Sequence, residues 1–115
     1  MKEKKEHFLK REQVSNEMTL SGVSGSGKTA LVSCWARAEQ HRLLVRGNIW
    51  DFIGKDCSKY WKDLIKEMQA NKFKYGLVVF EDINKTWLKK LRVNVFKYLI
   101  KKLPATWRIV YVVES

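Results

Sequence analysis

The sequence predicts a three-layer α/β fold with a parallel sheet between helices, in an incomplete or minimal core. Three observations predict it. Gly22 to Gly27 form a glycine-rich turn between a short apolar run and a helix-compatible segment. Leu77-Val-Val-Phe80 is apolar without alternation, the pattern of a strand covered on both faces. Strand-like and helix-like segments then alternate as β-α-β-α-β-α-β, which calls for right-handed crossovers between parallel strands.

Residues 1–17 are dominated by charge, with Phe8, Leu9 and Val14 as their few apolar anchors, and read as a solvated tail or frayed helix. Residues 18–115 form the predicted core. Met18-Thr-Leu-Ser21 is the first strand. A helix is expected from Lys28 to about Gln40, burying Leu31, Val32, Trp35 and Ala38. Leu43-Leu-Val45 reads as the second strand, closed by Gly47-Asn48. Residues 57–71 read as a helix with Trp61, Leu64, Ile65 and Met68 at steps of three and four. Glu81 and Asp82 end the third strand, and Asn84 can cap a long helix that runs to Leu103, just before Pro104. Its apolar side carries Leu88, Leu91, Val95, Tyr98, Leu99 and Leu103, with Lys90, Lys97 and Lys101 opposite. Arg108 to Val113 is the fourth strand, and the chain stopping at Glu114-Ser115 suggests a fragment or minimal version of a larger unit.

At 115 residues the chain is sized for one domain. Lys plus Arg number 23 against 12 Asp plus Glu, and the resulting +11 invites phosphate-bearing partners. Cys34 and Cys57 are too few for a disulfide scaffold, and no Cys/His cluster has metal spacing. Cys34 is expected to be a buried helix residue and Cys57 a loop thiol. No run approaches the roughly 20 apolar residues that span a bilayer, and the charged N-terminus lacks a secretory apolar stretch. A reducing, cytoplasmic setting without membrane contact is therefore expected.

Gly22-Val23-Ser24-Gly25-Ser26-Gly27-Lys28-Thr29 satisfies G-x-x-x-x-G-K-[ST]. Small residues let successive backbone N–H groups turn inward around phosphate oxygens, where larger side chains would intrude. The helix that starts near Lys28, with Ala30 in its first turn, points its positive end at the same place. Lys28 supplies a mobile charge for the β- and γ-phosphates, and the Thr29 hydroxyl suits Mg²⁺. Chance would produce this pattern in only about a few of a thousand chains of this length. The expected ligands are ATP or GTP with Mg²⁺, and nothing in the sequence identifies the base.

Leu77-Val-Val-Phe80-Glu81-Asp82 reads as a Walker B segment. One carboxylate would hold Mg²⁺ through water and the other orient an attacking water. The usual order is Asp then Glu, here reversed, so the division of labour between Glu81 and Asp82 stays open.

These residues resemble P-loop NTPases of the additional-strand class, in which a strand lies between those carrying Walker A and Walker B. Within that class the chain is most similar to STAND modules, NACHT-like and of the nephrocystin type. The similarity runs through Leu20 to Ala36 and through Leu99 to Ser115, with Glu81-Asp82-Ile83-Asn84 in the place of the acidic cluster. It implies a slowly hydrolysing switch module with protein partners or further domains, and puts Glu114 or Ser115 in the place of a γ-phosphate sensor. The stretch from Thr29 to Glu81 is short for the group, and Glu81 and Asn84 stand where Asp is usual.

Two other readings compete. The loop also resembles that of gluconate-kinase-like enzymes, though the chain ends before the arginine-bearing lid such kinases need. Val78 to Asp82 resembles the Walker B segment of superfamily 3 viral helicases, and eight basic residues with no acid lie between Ile83 and Val113. Nucleic acid is thus a further candidate partner. Trp35, Trp61, Trp87 and Trp107 fall on apolar faces and are expected in the core, whereas Trp50 lies in an irregular segment.

Overall fold

The computed structural model describes residues 9–14, 16–22, 27–70 and 74–114. Its elements are β1 (Leu9–Val14), β2 (Glu17–Gly22), α1 (Lys28–Ala38), β3 (Arg42–Arg46), α2 (Trp50–Ile53), α3 (Cys57–Ala70), β4 (Gly76–Asn84), α4 (Lys85–Asn94) and β5 (Trp107–Glu114). The sheet order is β1-β2-β5-β4-β3. The four strands from β2 onward are parallel, and β1 runs antiparallel to β2.

Strand β4 opens with a continuous apolar run because it is covered on both faces. Val78 and Phe80 point into a large cluster with Trp61, Leu64, Leu91 and Leu99, while Leu77 and Val79 join Leu20, Val32, Val110 and Val112 on the other face. Period-two alternation divides β5 in the same way, with Ile109, Tyr111 and Val113 on the first side. Helix α1 therefore makes one outer layer, and α2, α3 and α4 make the other.

Several expectations are corrected. Residues 9–14 form a strand, not a tail or frayed helix, and pair with β2 from Leu9↔Gly22 to Val14↔Glu17. An edge strand tolerates many charged residues, so Lys10, Arg11 and Glu12 disguise it in the sequence. Residues 1–8 lie outside the described part. Helix α1 buries Lys28, Val32 and Ala36, a stripe of four-residue steps, leaving Leu31 and Trp35 half-buried and Ala38 exposed. That phase also exposes Cys34, whereas Cys57 opens α3 and is buried, the reverse of the expected assignment. The helix after Asn84 is capped as anticipated, Thr86 N donating to Asn84 Oδ1 at 2.9 Å. It is not uniform to Leu103, for Val95–Leu99 adopts a π turn and Ile100–Lys102 a 3₁₀ turn. Leu91, Val95 and Leu99 nevertheless stay on one buried line. Trp61 and Trp107 are core residues, and Trp35 and Trp87 are half-buried at its margin.

Gly76 begins β4 opposite Trp107 of β5. A Cβ there would lie 2.4 Å from two atoms of the Trp107 ring, which is itself buried. Replacement of Gly76 by Ala is thus expected to destabilise by about 1–3 kcal/mol through overpacking. A urea midpoint unchanged from the parent would refute that close fit.

Candidate functional site

Parallel strands deliver their C-terminal ends to one edge of the sheet, and Gly22, Glu81 and Glu114 lie at that edge. Gly22 closes β2, Glu114 closes β5 in register with both Gly22 and Asn84, and Glu81 lies near the end of β4. Since β5 sits between β2 and β4, it separates the strand leading into the glycine turn from the strand bearing the acids.

Val23, Ser24, Gly25 and Ser26 lie outside the described residues, as does Ser115. The flanks of the turn are defined. Gly27 has φ 82°, a left-handed conformation that favours glycine, with open space where a side chain would start. It precedes α1 without giving a side-chain cap, and the first turn of that helix contains no acid. The positive end of the helix is therefore not offset by a carboxylate of its own first turn. Leu31 N donates to Gly27 O at 2.9 Å, fixing that turn.

Lys28 is buried at 6% exposure, and its Nζ donates to Gly22 O at 2.8 Å. The ammonium thus lies against the carbonyl that ends β2. A buried cation of this kind needs oxygen partners, and a phosphate-bearing ligand would supply stronger ones than a carbonyl. Thr29 and Ala30 are exposed in the first turn of α1.

The two acids differ in their contacts and exposure. Thr29 Oγ1 donates to Glu81 Oε2 at 3.4 Å, while the other carboxylate oxygen of Glu81 lies 3.8 Å from where a side chain would begin at Gly47. Glu81 is therefore held between the first turn of α1 and the exit of β3. Asp82 is exposed, with φ 57°, at the point where the β4–β5 register shifts between Phe80 and Ile83. That irregularity removes Asp82 from the ordinary strand alternation. Of the two, Glu81 is the acid joined to Thr29. Among the described residues no group of three or more His, Cys, Asp or Glu could hold a metal ion. Thr29 and Glu81 are nonetheless oxygen donors, the type a Mg²⁺ ion takes when water and phosphates complete its shell.

Sequence reasoning missed that Gly47, which reads only as a turn residue, lies beside the Glu81 carboxylate. It also missed the acceptor role of Gly22, since a main-chain carbonyl has no sequence signal. Arg46, at the end of β3, pairs with Glu67 and donates to Val45 O at 2.9 Å, so its guanidinium is engaged away from the turn. Among the described residues no helix is long and apolar enough to cross a membrane. In comparisons with known proteins, no family model matches the chain and no curated protein matches it significantly.

Proposed function

We propose that the chain binds ATP or GTP with Mg²⁺ through the Gly22–Thr29 turn and hydrolyses it slowly, as the switch module of a larger protein or assembly. The observation that carries this reading is the meeting of buried Lys28, Thr29 and Glu81 beside a G-x-x-x-x-G-K-T turn at the C-terminal edge of a parallel sheet. The position of β5 between β2 and β4 supports a P-loop NTPase core of the additional-strand class. The switch role rests on the similarity of residues 20–36 and 99–115 to STAND modules.

In this reading the main chain of the turn and the first turn of α1 bind the phosphates, and Lys28 moves from Gly22 O to the β- and γ-phosphate oxygens. Bound Mg²⁺ would neutralise charge on those oxygens, with Thr29 and Glu81 as the residues to hold it, directly or through water. Glu81 also has the reach to accept a proton from, or orient, an attacking water. Glu114 is suitably located to sense the terminal phosphate. Arg46 is tied to Glu67, and arginine fingers in such systems usually come from another subunit or domain, so turnover in isolation should be low.

Titration with labelled ATP and GTP, with and without Mg²⁺, followed by phosphate release, tests the proposal. Glu81→Gln is expected to cut Mg²⁺-dependent phosphate release by about a hundredfold while changing nucleotide affinity little. Asp82→Asn is expected to have the smaller effect on turnover. A larger loss in Asp82→Asn than in Glu81→Gln would reverse the roles given to the two acids.

A further inference from the structure

A second surface lies away from the glycine turn, on the flank of α4 and its π turn. Lys85, Leu88, Lys89, Arg92, Val93 and Phe96 recur at steps of one, three and four residues and form one wall of a trough of about 490 Å³. Glu17 of β2 lines the same trough. Phe96 is 71% exposed and Val93 59%, two of the four large apolar side chains that the described residues leave open. Half-buried Leu88 lines the same trough.

Cations alternate with these apolar side chains along the helix. Lys85 and Lys89 have no carboxylate partner among the described residues. Arg92 is held differently, its Nε 3.9 Å from Glu17 and its guanidinium over the Tyr111 ring. Burial and the adjoining Glu17 carboxylate push the Tyr111 phenol well above its usual pKa, so it keeps its proton and donates it to Glu17. Glu17 is thus internally satisfied, and the unanswered charge belongs to the lysines.

We propose that this trough is a docking site for an acidic amphipathic helix of a partner protein. Apolar residues of such a helix would cover Leu88, Val93 and Phe96, and its flanking carboxylates would meet Lys85 and Lys89. A second copy of this chain, at +11, has the wrong overall sign. An anionic membrane fits poorly as well, because the Glu17 carboxylate lines the same trough and would face the anionic headgroups. The site is independent of the nucleotide proposal, and nucleotide titration on the same samples keeps the two outcomes apart.

Fluorescence anisotropy on the full chain tests it with a labelled peptide of about four helical turns, leucine on one face and glutamate on its flanks. The leucine–glutamate peptide is expected to bind, and its leucine–lysine counterpart to bind at least about tenfold more weakly. Phe96→Asp should weaken the glutamate peptide by about tenfold or more, without lowering the melting temperature of so exposed a position. Lys89→Glu should narrow the preference between the two peptides. Absence of binding, equal affinity for both peptides, or indifference to both substitutions would overturn the proposal. So would capture by vesicles of anionic phospholipid that Phe96→Asp abolishes while peptide affinity stays unchanged.

Discussion

Lys28→Ala is expected to lower affinity for ATP and GTP by about one to two orders of magnitude, the worth of a charge-assisted contact to phosphate. The size of the effect follows from placement. A lysine on an exposed loop would be screened and could be replaced by solvent, but this one is 6% exposed and bonded to the carbonyl that begins the turn. Its ammonium is already desolvated, so little further ordering is needed when phosphate oxygens displace Gly22 O. The substitution also removes the Nζ–Gly22 bond, and a thermal melt of the variant separates loss of the turn from loss of the charge. Unchanged affinity in a folded variant would sink the nucleotide reading.

Trp61→Ala should produce the largest loss of stability, about 3–5 kcal/mol against a typical total of about 5–15 kcal/mol. The indole is fully buried, and its Nε1 donates to Phe52 O at 3.0 Å. It meets Phe52 edge to face at 4.9 Å, lies 5.7 Å from Phe80 and stacks on Tyr98 at 5.8 Å. Truncation would therefore empty the junction of α2, α3, β4 and the turn after α4. Phe52 O would retain only the bond from Asn94, at 2.8 Å. Trp61→Phe should keep much of the packing and lose less. Urea unfolding checks both, and a loss below about 1 kcal/mol for the alanine variant would show that the site collapses without cost. Phe80 immediately precedes Glu81, so the same cavity is expected to loosen the acid that faces Thr29.

Much of the α/β framework was legible because burial leaves strong patterns. Leu77 to Phe80 had to lie between two apolar layers, and Trp61, Leu64 and Met68 had to share one face of a helix. Asn84 announced its helix through a side chain suited to an exposed first-turn N–H. What stayed hidden depended on partners distant in sequence. β1 is an edge strand whose sequence is rich in charged residues, so neither periodicity nor hydropathy distinguishes it from a tail. The phase of α1 was misread because Lys28, a charged residue, occupies a buried position, which turned the expected face and exposed Cys34. The separate fates of Glu81 and Asp82 depend on a local slip between β4 and β5, and single residues in a sequence do not reveal register. The π turn at Val95–Leu99 was equally silent, since Leu91, Val95 and Leu99 keep an ordinary four-residue spacing.

The antiparallel hairpin has a consequence for handling the protein. With β1 on one side and β5 on the other, β2 has its backbone groups answered in both directions. A truncated version starting at Met18 would bare one flank of the strand that leads into the glycine turn. Such a flank recruits strands from other molecules, so that version should self-associate and precipitate as its concentration rises.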